Sequence, residues 1–185
     1  MNRAIGFLAL EETNDRKGFI GALLVTDDLG KPEEFRVTYP LKPTPVQKQL
    51  YGKSMLPHIG VNLCGIPLYE ALKNKPELLV IKDKQILPIS EKIDCCVVYL
   101  TRRGEKLEIK DDSTQDEAEE SPHMKTDPGG HQPVSVIYPP NYGNEMKDRT
   151  KAFLGHYYQA IDLLEPFERI KGAIAALAEQ DEKFK

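Results

Sequence analysis

The chain has 185 residues, 40% hydrophobic and 29% charged, which is enough to build a sizeable core and too apolar for wholesale disorder. Its net charge of -4 gives no general attraction to nucleic acid or to an anionic membrane, so binding either requires a local basic patch. Three cysteines, an odd number, argue against a secreted disulfide scaffold.

The first apolar run, Ala4 to Leu10, falls far short of the roughly 18 residues that cross a bilayer. Glu11 and Glu12 follow it where a signal peptide needs small residues, so a cytoplasmic protein with no membrane partner is expected. Ala4 to Leu10 is apolar on both alternating faces, as a strand in the middle of a sheet must be. Phe19 to Thr26 repeats that pattern. Asp27-Asp28-Leu29-Gly30-Lys31-Pro32 is turn chemistry, with Gly30 suited to positive φ. Glu34 to Tyr39 alternates, which predicts Phe35, Val37 and Tyr39 on the core face. The first 39 residues thus read as a three-stranded antiparallel meander.

Thr44-Pro45-Val46-Gln47 has the form of a capping box, with Pro45 at the first helical position. A helix to about Lys53 is expected, then a second helical piece from Ile59 to Leu72 interrupted near Gly65-Ile66-Pro67. Leu78 to Ile81, Ile86 to Ile89, Asp94 to Thr101, Lys106 to Lys110 and Val134 to Tyr138 read as further strands. Between the last two lies residues 111–133, where six of the ten residues from Asp111 to Glu120 are acidic; an acidic, mobile loop is expected. Phe153, Tyr157, Ala160, Leu164, Phe167, Ile170, Ile174 and Leu177 recur at helical spacing, with Pro166 kinking that helix or starting a second one. The spacing breaks a heptad, so the helix is expected to pack on the sheet rather than form a coiled coil. The expected fold is α+β: a single domain over 1–185, with a mainly antiparallel sheet, middle helices and a long C-terminal amphipathic helix.

The usual catalytic signatures are missing. Gly52-Lys53-Ser54 is the tail of a P-loop without its first glycine, since Gln47 stands there. Cys95 and Cys96 are adjacent on an expected strand and point to opposite faces, so they do not chelate together. His123, Asp127 and His131 lie close in the acidic loop, but such loops gather ligand-type residues without a supporting framework. What stands out is the corner after the meander. Arg36, Lys42, Lys48 and Lys53 are basic, Gln47 and Tyr51 are polar, and a helix starts among them. These six residues are the candidate binding surface. The first expectation is therefore a non-catalytic binding or adaptor protein within a cytoplasmic complex, without metal or cofactor. Its partner would be a protein or a second copy, with nucleic acid reached through the basic corner.

One pattern points elsewhere. Asp94, followed on the next expected strand by Glu108-Ile109-Lys110, resembles the active-site pattern of the PD-(D/E)xK nuclease superfamily, with Ile93 where that pattern has proline. The resemblance implies a metal-dependent nuclease. Asp94 and Glu108 would hold a divalent ion, and Lys110 would polarise the attacking water.

Overall fold

The computed structural model describes residues 4–102 and 134–184. The strands β1 (Ile5–Glu12), β2 (Phe19–Thr26), β3 (Pro32–Val37), β4 (Leu78–Ile81), β5 (Cys96–Arg102) and β6 (Val134–Ile137) form one sheet in the order β3-β2-β1-β4-β5-β6. The meander β1-β2-β3 is antiparallel, as its short turns demand, and β6 is antiparallel to β5. β4 runs parallel to β1 on one side and to β5 on the other. Antiparallel pairs are the majority, and the fold is α+β with the expected meander at its N-terminus.

The two-faced apolar strands are central because helices cover both sides of the sheet. On one face Ile5, Phe7, Ile20, Leu24, Val80 and Val98 pack against the C-terminal helices. On the other Leu8, Leu23, Leu79, Ile81 and Val97 pack against the helical run that begins at Thr44. That run opens with the expected capping box: Gln47 N–H donates to Thr44 Oγ1 at 3.2 Å, and Thr44 N–H donates to Gln47 Oε1 at 2.8 Å. It continues as α1 (Pro45–Tyr51), a 3-10 turn, α2 (Met55–Pro57), a π-helical stretch His58–Gly65 and α3 (Ile66–Glu70). Neither Pro57 nor Pro67 ends the run, because changes of winding absorb both. The π-helical stretch approaches β2 closely. A Cβ on Gly21 would stand 2.4 Å from Cys64 Cβ, so only glycine fits there.

Several expectations are corrected. Ile86–Ile89 is no strand but part of a 3-10 helix, Lys84–Glu91, opened by Asp83, whose carboxylate accepts from Gln85 N–H at 2.8 Å. This segment is the connection between the parallel strands β4 and β5. β3 is an edge strand, so Phe35 and Tyr39 are exposed at 36% and 59% rather than facing the core. The C-terminal stripe takes the second of the two courses Pro166 allowed: it is two helices, α4 (Asn144–Ala160) and α5 (Glu165–Gln180), with Pro166 in the first turn of the second. Both lie on the sheet, and Phe167 meets Phe7 edge to face at 5.7 Å between ring centroids. Gly30 sits at φ 79° in the β2–β3 turn, where Arg169 Nη1 donates to its carbonyl at 2.8 Å. The expected strand 106–110 and the acidic loop 111–133 lie outside the described residues.

Candidate functional site

In a sheet with parallel strands, ligands are bound beyond the carboxyl ends, where backbone groups and connections leave a crevice. Here β1, β4 and β5 point the same way, with Leu8 opposite Ile81 and Ile81 opposite Tyr99. The apolar pattern of each strand breaks at that end with a charge: Glu11 is the last residue but one of β1, Lys82 follows β4 and Arg102 closes β5. Glu11 and Lys82 line a crevice of ≈ 770 Å³ whose walls also include Leu10, Asp83, Lys84 and Tyr99. Lys82 and Tyr99 also border a smaller cavity of ≈ 130 Å³, closed on its far side by Arg102, Leu164 and Glu168.

Glu11 is partly buried. Burial raises its pKa above the usual 4.5; Lys82 and Lys171 pull it back down, and Glu168 pushes it up. Lys82 Nζ lies 3.9 Å from Glu168 Oε1, with the two side chains 52% and 69% exposed. Such an exposed pair contributes about 0–1 kcal/mol, so Lys82 exchanges partners at little cost. Arg102 is held from one side, its Nη2 donating to Asp162 Oδ2 at 3.0 Å. Its other terminal nitrogen, Nη1, is buried with no hydrogen-bond partner among the described residues.

A metal-dependent nuclease implies a divalent ion held by oxygen donors. Asp83 is engaged in capping its 3-10 helix, and Lys82 brings a positive charge near both Glu11 and Glu168. Among the described residues no three His, Cys, Asp or Glu side chains gather closely enough to hold a metal ion. The described side chains of this crevice do not fit a metal cradle.

The sequence-derived residues fall elsewhere. Lys42, Gln47 and Tyr51 border one small cavity of ≈ 180 Å³ beside α1, with Met55, His58 and Leu63. Tyr51 stacks on His58 at 4.8 Å, and Gln47 is engaged in the capping box. Arg36 is paired with Glu34 at 2.6 Å, Lys42 with Asp15 at 3.3 Å, and Lys48 and Lys53 are exposed and do not border that cavity. Three of the six candidates are thus brought together and three are not. Asp94 is exposed, before the amino end of β5, and lines a separate crevice of ≈ 740 Å³ with Glu77, Cys95, Tyr142 and Met146. It lies eight residues from Arg102, roughly 26 Å at strand rise. Glu108 and Lys110 lie outside the described residues, as do His123, Asp127 and His131. Cys95 and Cys96 belong to opposite faces of the sheet, and burial pushes the Cys95 thiol up to about 12, which makes it inert. Glu11, Lys82, Arg102 and Glu168 were not singled out in the sequence. For the first three the signal was a charge at the carboxyl end of a buried strand; Glu168, in α5, carried none.

No family model matches the chain, and no curated protein matches its sequence. Solved structures do resemble it. Endonuclease V of Ciona intestinalis, in complex with a 24-mer DNA containing an inosine followed by a ribo-adenosine, superposes with a TM-score of 0.53 at 12% identity, covering 92% of this chain and 86% of that one. Endonuclease V of Bacillus subtilis gives a TM-score of 0.47 at 12% identity over 86% of this chain and 69% of that one. The Ciona match shows a shared fold. It corrects the expectation of a non-catalytic binding or adaptor protein, and of protein binding as the main role, because the protein that shares the fold is an endonuclease, seen in complex with DNA. Among the described residues no helix is long and apolar enough to cross a membrane.

Proposed function

We propose that this chain is a nuclease that hydrolyses phosphodiester bonds in the crevice at the carboxyl ends of β1, β4 and β5. The observation that carries the reading is the partly buried Glu11 beside Lys82 in that crevice, on a fold shared with a DNA-bound endonuclease. Hydrolysis needs a group to take a proton from water and a positive group near the phosphate oxygens that gain charge. Glu11, with its pKa raised by burial, is a better base than an exposed carboxylate and is assigned the first role. Lys82, free to leave Glu168, is assigned the second. Water attacks phosphorus and its proton passes to the Glu11 carboxylate, while the bond to the sugar oxygen breaks and that oxygen leaves as a hydroxyl, protonated from solvent.

The nucleic-acid partner enters from the crevice side, and inosine-containing DNA, the nucleic acid of the Ciona complex, is the first substrate to test. Glu11→Gln keeps the shape of the side chain and removes the base. It is expected to lower single-turnover cleavage at least 100-fold, in line with the usual contribution of general-base catalysis. Cleavage by the Gln variant within a few-fold of wild type contradicts the assignment.

A further inference from the structure

The cavity bounded by Lys82, Tyr99, Thr101, Arg102, Leu164 and Glu168 has a shape and charge of which the hydrolytic reading uses only Lys82. It is ≈ 130 Å³, several times the share of one water in the liquid and large enough for a tetrahedral oxyanion. Two cations border it from different strands, Lys82 from the end of β4 and Arg102 from the end of β5.

Arg102 supplies the independent sign of a ligand. Asp162 holds one arm of its guanidinium at 3.0 Å, while the other, Nη1, is buried without a hydrogen-bond partner among the described residues. A buried N–H of a cation left unpaired is costly, which marks Arg102 as a cation that the described residues satisfy only in part. The Asp162 contact holds the guanidinium from one side in advance of any ligand. Lys82 is the mobile member. Its contact with Glu168, at 3.9 Å and mostly in solvent, is easily given up for a phosphate oxygen. Among the described residues Glu168 is the one carboxylate on the cavity wall, and its side chain, 69% exposed, has solvent to turn into when that contact opens.

We propose that this cavity is a phosphate site in which a backbone phosphodiester is bound by two protein cations, Lys82 and Arg102, with no metal ion at that position. The inference rests on the nuclease reading for the identity of its ligand, and it departs from the divalent ion which that reading would otherwise bring. Lys82 and Arg102 here do the charge neutralisation that a bound cation does elsewhere.

The test uses the full chain and a fluorescein-labelled single-stranded 12-mer, with binding followed by anisotropy in excess EDTA across a salt series. Wild type is expected to bind in EDTA. Lys82→Ala, an exposed position whose change should leave the melting temperature unaltered, is expected to weaken binding about tenfold. It should also make the slope of log K against log salt shallower by about 0.7, one single-strand phosphate contact. Arg102→Gln, which keeps donors to Asp162 but loses the charge, should weaken binding similarly, and its fold is checked by circular dichroism. Binding that is absent in EDTA and restored by Mg²⁺, or a Lys82→Ala protein with wild-type affinity and slope, overturns the proposal. Displacement of the oligonucleotide by sub-millimolar inorganic phosphate would assign the cavity to free phosphate and overturn the backbone ligand. The two readings fail separately. Tight binding without cleavage sinks the nuclease and leaves the site, whereas Glu11-dependent cleavage with unaltered Lys82→Ala binding sinks the site alone.

Discussion

Gly21→Ala asks whether the π-helical stretch is seated on β2 as closely as described. The new Cβ would lie 2.4 Å from Cys64 Cβ, 2.8 Å from Cys64 Sγ and 3.3 Å from Leu68 Cδ1. Carbon pairs settle near 3.5–4.0 Å, so the helix must retreat by about 1 Å from a strand buried on both faces. Forced overpacking of this kind costs about 1–3 kcal/mol, and the upper end applies because the contact is made by a Cβ fixed to the backbone rather than by a flexible tip. At about 2–4 °C per kcal/mol for a chain of this size, a loss of 3 kcal/mol lowers the melting temperature by roughly 6–12 °C. Urea denaturation followed by circular dichroism measures it directly. The geometry also predicts the pattern of rescue. Cys64→Ala removes Sγ but leaves the Cβ at 2.4 Å, so it should not restore the Gly21→Ala protein. Cys64→Gly removes the clash and should show a coupling of about 1–3 kcal/mol in a double-mutant cycle. A Gly21→Ala protein within about 0.5 kcal/mol of wild type, or equal rescue by alanine and glycine at position 64, would refute the packing described here.

Other consequences are equally direct. Because burial raises Glu11 above 4.5, the folded chain holds that proton where the unfolded chain has lost it, and stability falls as pH rises from 4.5 through the folded pKa. Glu11→Gln should therefore remove that loss and raise the melting temperature at neutral pH while abolishing cleavage; a lower melting temperature there contradicts the stated environment. The wild-type cleavage rate should rise with pH across the same window, as a base must be unprotonated to act. Phe167 is buried to 1% exposure against Phe7, so Phe167→Ala should cost about 3–5 kcal/mol in urea unfolding, and a loss below 1 kcal/mol would mean that α5 does not pack where described.

What could be read from the sequence followed local rules. The capping box at Thr44 and Gln47, the turn at Gly30 and the two-faced apolar strands depend on neighbours in the chain, and each is found. The reading of Ile86–Ile89 as a strand failed because a short apolar run with Pro88 inside fits a buried 3-10 segment equally well. Tyr39 misled for a different reason: alternation gives a face but not whether another layer covers it, and β3 lies at the edge. The site was hidden by strand direction. Glu11, Lys82 and Arg102 are far apart in sequence and become neighbours only because β4 runs parallel to β1 and β5. The helical run 45–70 is long enough to make such a crossover, which is the clue that the meander reading passed over. Corner residues such as Lys48 stood out because charge near a helix start is conspicuous, and the structure places Lys48 exposed in the last turn of α1.

The central claim, a nuclease working at the carboxyl ends of β1, β4 and β5, is tested most directly by single-turnover cleavage of end-labelled DNA containing one inosine, comparing wild type, Glu11→Gln and Asp94→Ala. The account predicts cleavage by wild type and Asp94→Ala and its loss in Glu11→Gln. Loss in Asp94→Ala with activity retained in Glu11→Gln would move the chemistry to the opposite end of the sheet and contradict it.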